Sequence, residues 1–121
     1  MAKNILVVDD SSSIRKIVSL SLKVLDFNII SAEDGVIALE KLSQNSIDLL
    51  ITDLNMPNMD GYELIKNVRA NSTYKDLPII VLSSLSSEFD INEGLLSGAN
   101  SYLMKPFNAV KIKFEVAKYL S

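Results

Sequence analysis

The sequence predicts an α/β fold built on a doubly wound, five-stranded parallel sheet. Three observations predict it. Short apolar runs alternate five times with segments of helical spacing, the pattern of a parallel sheet covered by helices on both faces. Several of the apolar runs are continuous rather than alternating, as in strands buried on both sides. The 121 residues, 48% hydrophobic and 22% charged, suit one domain of ordinary size with a substantial core and leave no room for a second.

The elements follow in order. The first strand is Ile5-Leu6-Val7-Val8, which ends in Asp9-Asp10. Ser11 or Ser12 then caps a helix whose stripe is Ile14, Ile17, Val18, Leu22 and Leu25. The second strand contains Ile29-Ile30, and Asp34-Gly35 opens a helix carrying Val36, Leu39 and Leu42. The third strand, Leu49-Leu50-Ile51, runs to Asp53, and Asp60-Gly61 opens a helix carrying Leu64, Ile65 and Val68. Pro78 precedes the fourth strand, Ile79-Ile80-Val81-Leu82, at a position where its missing N–H matters least. The fourth helix, around Ser87 to Ser97, is the weakest element. It contains Gly94 and has a poor stripe of Phe89, Ile91, Leu95 and Leu96, which marks it as movable. Gly98 suits its C-cap.

The fifth strand is Tyr102-Leu103-Met104, followed by Lys105 and by Pro106, which suits the opening of a helix. The fifth helix carries two apolar stripes. Phe107, Val110, Phe114, Ala117 and Leu120 are expected to face the sheet. Ala109, Ile112, Val116 and Tyr119 fall on the opposite side and, with nearby Tyr102, form a candidate partner surface.

Composition removes whole classes of chemistry. The chain has no Cys, which excludes disulfides, thiolate metal sites and a Cys nucleophile. It has no His, which excludes a Ser-His-Asp triad, imidazole ligands and phosphohistidine chemistry of its own. The net charge of −3 argues against non-specific nucleic-acid binding, which rests on Lys and Arg meeting phosphates. The apolar run at Ile5 is too short for a signal peptide, and no run approaches the roughly 20 residues that span a bilayer. A cytoplasmic location is expected.

In a parallel sheet the strand C-termini share one edge, and ligands bind there at the point where strand order reverses. With the order 2-1-3-4-5, the aspartates of strands one and three share a crevice, and Ser83-Ser84 and Lys105 arrive from strands four and five. Three carboxylates, Asp9, Asp10 and Asp53, repel one another unless compensated. Lys105 is one compensator. A hard divalent cation with oxygen ligands is another, and Mg²⁺ fits a site with few protein ligands. Asp10 and Asp53 are the expected direct ligands, with Asp9 acting through water and a backbone carbonyl just after Asp53 adding an oxygen. An ionised Asp is already a nucleophile. Phosphoryl transfer asks mainly for positioning and charge neutralisation, which Mg²⁺, Lys105, the Ser83 hydroxyl and the Ser84 N–H supply. Taken singly, each feature has a plain structural explanation as a cap, a turn or a solvated charge. Four strand ends that all deliver residue types for one reaction favour the chemistry: acceptance of a phosphoryl group on Asp53.

These residues carry a family resemblance over essentially the whole chain. Ile5-Leu6-Val7-Val8-Asp9-Asp10-Ser11, Leu50-Ile51-Thr52-Asp53-Leu54-Asn55-Met56-Pro57-Asn58-Met59-Asp60-Gly61, Pro78-Ile79-Ile80-Val81-Leu82-Ser83-Ser84 and Tyr102-Leu103-Met104-Lys105-Pro106-Phe107 stand in the order and spacing of a response-regulator receiver domain. The resemblance implies a flavodoxin-like (βα)5 fold and a single receiver domain over residues 1–121. The chain stops just after the fifth helix, so no output domain is expected. The stretch from Asn55 to Gly61 resembles chemotaxis members, and the whole resembles stand-alone CheY-like regulators.

By that resemblance Asp53 takes a phosphoryl group from a sensor kinase's phosphohistidine. Asp9, Asp10, Asp53 and the Asn55 carbonyl hold Mg²⁺, and Lys105 and Ser83 contact the phosphoryl group. Ser83 and Tyr102 act as a switch for the face formed by helix four, strand five and helix five, and Lys105-Pro106 is cis. The protein is then not an enzyme beyond its own phosphorylation and dephosphorylation. Its partners are a sensor histidine kinase or phosphotransfer protein, a downstream target and, as a further candidate, a phosphatase. A monomer is expected, with dimerisation on phosphorylation left open. Three departures stand out: Ser83 where Thr is common, Ser84 where Ala is frequent, and apolar Leu85 where a polar side chain can orient the attacking water. Leu85 is expected to slow dephosphorylation.

Three other functions suit these residues less well. A flavodoxin-type FMN carrier needs phosphate donors after strand one, where Asp9-Asp10 would repel the phosphate. An Asp-nucleophile phosphatase of the haloacid dehalogenase type needs an acid two residues after the nucleophile, where Asn55 stands. A receiver that binds partners without phosphorylation usually has a damaged site, and this one is complete.

Overall fold

The computed structural model describes residues 2–120. Its elements are β1 (Asn4–Val8), α1 (Ser12–Lys23), β2 (Asn28–Ala32), α2 (Gly35–Gln44), β3 (Leu49–Thr52), α3 (Gly61–Ala70), a 3-10 turn (Ser72–Tyr74), β4 (Ile79–Ser83), α4 (Glu88–Ser97), β5 (Ser101–Met104) and α5 (Ala109–Tyr119). All strand pairs are parallel, in the order β2-β1-β3-β4-β5, as the alternation predicts.

The two faces of the sheet divide the core. Leu6, Val8, Leu50, Ile79 and Val81 point to one face, where they meet Ala38 and Leu42 of α2 and Leu64, Ile65 and Val68 of α3. Ile5, Val7, Leu49, Ile51, Ile80 and Leu82 point to the other, where they meet Val18 and Leu22 of α1 and Ile112 and Val116 of α5. Neighbouring residues on one strand thus serve opposite layers, which is why the central strands read as unbroken apolar runs. The edge strands β2 and β5 are only partly covered.

The caps are those the sequence marks. Ser11, Asp34 and Asp60 accept from the N–H groups of Ile14, Ile37 and Glu63, at 3.3, 2.9 and 2.9 Å. Gly98 closes α4 with φ 125°, a conformation that favours glycine. In α4 only Gly94 is buried, so its poor stripe is a real property of the helix.

Three helices differ from the expected faces. In α1, Ile17 is exposed, as is Leu25 just past the helix end, and Val18 and Leu22 carry the buried contact with half-buried Ile14. In α2, Val36 is exposed and Ala38 occupies the buried position. In α5 the two stripes are reversed. Ile112 and Val116 are 1% and 0% exposed, while Val110 and Phe114 are 73% and 64% exposed. Tyr119 is half-buried on the inner side, where its hydroxyl hydrogen-bonds that of Ser101. The reason is local. The helix starts at Ala109 with Asn108 as its cap, not at Pro106, and Leu120 lies past its end. Phe107 and Leu120 are inward-packed flanks rather than helix positions, so they do not set the rotational phase of Val110, Phe114 and Ala117.

Candidate functional site

Strand register brings the expected residues to one edge. Val8 is paired with Thr52 and with Ala32, and Ser83 with Met104, so the residues that follow them emerge together. Backbone bonds continue past the strand ends. Asp9 N donates to Ala32 O at 3.1 Å, Asp53 N to Val8 O at 2.9 Å, and Lys105 N to Ser83 O at 2.8 Å. The backbone under each functional side chain is therefore held by the sheet, although the side chain itself projects beyond it.

Asp9 and Asp53 are buried and Asp10 is exposed. One carboxylate oxygen from each of the three lies within 4.8 Å of the others. Lys105 reaches between them, its Nζ 3.0 Å from Asp9 Oδ2 and 3.4 Å from Asp53 Oδ2. Ser11 N donates to Asp9 Oδ1 at 2.9 Å, and Leu54 N to Asp53 Oδ1 at 2.8 Å. The peptide bond between Lys105 and Pro106 is cis, as the resemblance implies.

Burial pushes the Asp53 carboxyl above its ordinary value, and the Asp9 charge adds to this; the Leu54 N–H and Lys105 pull the other way without cancelling it. Burial works against the Lys105 ammonium, but its hydrogen bond to Asp9 and the charges of Asp53 and Asp9 outweigh that and hold its pKa above the usual lysine value. Lys105 is therefore a fixed cation. Three carboxylates against one ammonium leave a formal charge of −2, and the remaining donors are hard oxygens. That set fits Mg²⁺.

Ser83 is fully buried at the end of β4, and its hydroxyl accepts from Leu85 N at 3.1 Å. Ser84 and Asn55 are exposed. Tyr102 is half-buried, and its hydroxyl donates to Leu85 O at 2.6 Å. Ser83 and Tyr102 thus both bond to the backbone of Leu85. Of the expected partner-surface residues, Tyr102 and Tyr119 are half-buried, and Ile112 and Val116 belong to the core.

Several supporting residues escaped the sequence reading. Arg15 donates from Nη1 to the Asp9 carbonyl at 2.6 Å. Thr52 is buried and its hydroxyl donates to the Asp53 carbonyl at 2.8 Å. A Cβ at Gly61 would overlap that same carbonyl, so the start of α3 can pass beneath Asp53 only as glycine. The Asp-Gly pair was a visible signal for Gly61, although it pointed only to a cap.

Comparison with known proteins agrees with this fold. Residues 5–117 match the model of the response regulator receiver domain. The chemotaxis protein CheY1 of Helicobacter pylori is 42% identical over 116 residues, covering 93% of this chain and 94% of that protein. The structure of the chemotaxis response regulator CheY4 of Vibrio cholerae superposes with a TM-score of 0.92 at 38% identity, covering 98% of this chain and 99% of the other. The receiver domain of a Pseudomonas aeruginosa sensor histidine kinase, solved with magnesium in its active-site cleft, superposes with a TM-score of 0.91 at 25% identity over 99% and 98% of the two chains.

An acidic pocket faced by a lysine, at the switch point of this sheet, defines a phosphorylatable signalling module rather than a classical enzyme, and the chain belongs to the response regulator receiver domain family. Within that family it is CheY-like, a response regulator of two-component signalling. Among the described residues no helix is long and apolar enough to cross a membrane.

Proposed function

We propose that this protein accepts a phosphoryl group on Asp53 from the phosphohistidine of a sensor kinase or phosphotransfer protein. The observation that carries the reading is the placement of Asp53. Its buried carboxylate lies 3.4 Å from the Lys105 ammonium and has an oxygen within 4.8 Å of an oxygen of Asp9 and of Asp10. In the reaction an Asp53 carboxylate oxygen bonds to phosphorus, the P–N bond breaks, and the electron pair returns to the imidazole. The product is an acyl phosphate on Asp53. Lys105 meets the new negative charge, and the Ser83 hydroxyl and Ser84 N–H donate to phosphoryl oxygens. Asp9, Asp10, Asp53 and the Asn55 carbonyl are the proposed Mg²⁺ ligands. The ion supplies charge neutralisation at the phosphoryl group.

The new dianion biases a two-state element. Ser83 and Tyr102 both bond to the backbone of Leu85, so a hydroxyl drawn toward the phosphoryl group releases the Leu85 N–H. The output face is formed by α4, β5 and the outward side of α5. There Leu103, Val110 and Phe114, with Lys111 and Glu115, line a groove of about 340 Å³. These outward residues replace Ile112, Val116 and Tyr119 as the proposed contact set. The names of the CheY relatives point to chemotaxis as the pathway, and the proposed setting is the cytoplasm.

The test is intact mass after incubation with acetyl phosphate, with and without Mg²⁺, on wild type and Asp53→Asn. One Mg²⁺-dependent phosphoryl adduct, missing in the variant, is expected. No adduct where a control receiver reacts would overturn the reading in favour of a phosphorylation-independent binding module.

A further inference from the structure

The loop from Asp53 to Asp60 carries both the acceptor and the Asn55 carbonyl, and it is gripped from outside by the start of α2. Asp34 is 6% exposed and uses both carboxylate oxygens. Oδ1 accepts from Ile37 N at 2.9 Å as the helix cap, and Oδ2 accepts from Asn58 Nδ2 at 2.7 Å. A second hold lies beside it, where Gly35 N donates to the Met59 carbonyl at 3.3 Å. The contact is close, since a Cβ on Gly35 would lie 2.7 Å from Met59 Cγ. Asn58 itself sits at φ 67°, a conformation that L residues other than Asn, Asp and Gly rarely hold without support. At the loop's far end Gly61 N donates to Leu54 O at 2.9 Å. The arc containing Asn55 is thus closed on itself at Leu54 and Gly61, and tied to the rest of the molecule by a charge-assisted bond to a residue 24 positions earlier.

Asp34 has no place in the reaction proposed above, and its capping role needs only one of its oxygens. We propose that Asp34 is a positioning residue for the site: through Asn58 it holds the arc that presents the Asn55 carbonyl to the metal, and so raises Mg²⁺ affinity. This rests on the proposed Mg²⁺ site, in which the outer partners of ligands set the precision of the ligands themselves.

Two variants separate the clamp from the cap. Asp34→Ser keeps a good N-cap but is too short to reach Asn58 as well. Asn58→Gly removes the donor and keeps the left-handed backbone free of strain. Mg²⁺ binding is read by titration calorimetry on the folded protein, with melting temperature recorded beside it. Each variant should bind Mg²⁺ about tenfold more weakly. The double variant should be no weaker than the worse single, because both remove the same bond. Asp34→Asn should fall between, since the Asn58 amide can turn and keep a neutral bond. Two results would overturn the inference while the site reading stands: singles that lower the melting temperature but bind Mg²⁺ like wild type, or losses that multiply in the double. A wild-type protein that binds no Mg²⁺, or binds it equally as Asp53→Asn and Asp10→Asn, would overturn the site reading itself.

Discussion

The Tyr102 hydroxyl donates to the Leu85 carbonyl at 2.6 Å, tying β5 to the loop that follows β4. Its ring lies against Gly94, the one buried residue of α4, where an added Cβ would stand 3.1 and 3.2 Å from two ring carbons. The weakest helix is thereby seated on the side chain proposed to switch.

That seat predicts an energetic coupling. Alanine is favoured over glycine inside a helix by roughly 1 kcal/mol. In a Tyr102→Ala background, Gly94→Ala should stabilise by about that amount, because nothing opposes the new methyl. With Tyr102 present the gain should shrink or reverse. Urea unfolding of the four proteins measures the coupling, and equal gains in both backgrounds would show that the ring yields freely.

Asp53 costs stability before it does anything else. Its folded pKa is raised by burial and by Asp9, so its contribution to stability is full below the unfolded carboxylate value and is lost as pH rises through the folded one. At neutral pH without divalent ions, Asp53→Asn should therefore melt higher than wild type. The difference should close as pH falls through the raised folded value to the ordinary carboxylate value, below which the carboxyl is protonated in both states. Mg²⁺ should raise the wild-type melting temperature and narrow the gap from the other side. Thermal melts over a pH series, with and without Mg²⁺, check all three signs.

The phase of α5 makes a direct prediction about packing. Ile112→Ala should cost on the order of 2–5 kcal/mol, the usual range for emptying a buried aliphatic site. Val110→Ala and Phe114→Ala should change stability by about 0.5 kcal/mol or less, as exposed substitutions do. Denaturant midpoints for the three variants decide between this phase and its reverse.

Leu85 is expected to set the lifetime of the proposed acyl phosphate. Its backbone is engaged by Ser83 and Tyr102, and its half-buried side chain packs on the α2–α3 layer without a group that can hydrogen-bond water. Leu85→Glu should speed dephosphorylation several-fold, followed as loss of the adduct mass with time. An unchanged or slower decay would remove Leu85 from any account of the lifetime.

Strand positions, caps and the residues at the strand ends were legible in the sequence because each has a local cause. A fully buried parallel strand reads as an unbroken apolar run, as in Ile79 to Leu82. A cap reads as Ser or Asp before a helical stretch, as at Ser11, Asp34 and Asp60. Parallel pairing then sends every strand's C-terminal residue to one edge, so Asp9, Asp53 and Lys105 could be assembled from order alone. What the tertiary structure decided is which way helices turn and which distant polar atoms meet. Both stripes of α5 are apolar, and burying either satisfies the same pattern; packing against α1 and the sheet selects Ile112 and Val116. The bonds of Asp34 to Asn58 and of Tyr102 to Leu85 join residues 24 and 17 positions apart. Hydrophobic periodicity specifies how much apolar surface a segment must bury, whereas rotational phase and long-range hydrogen bonds depend on neighbours that only the folded chain brings into contact.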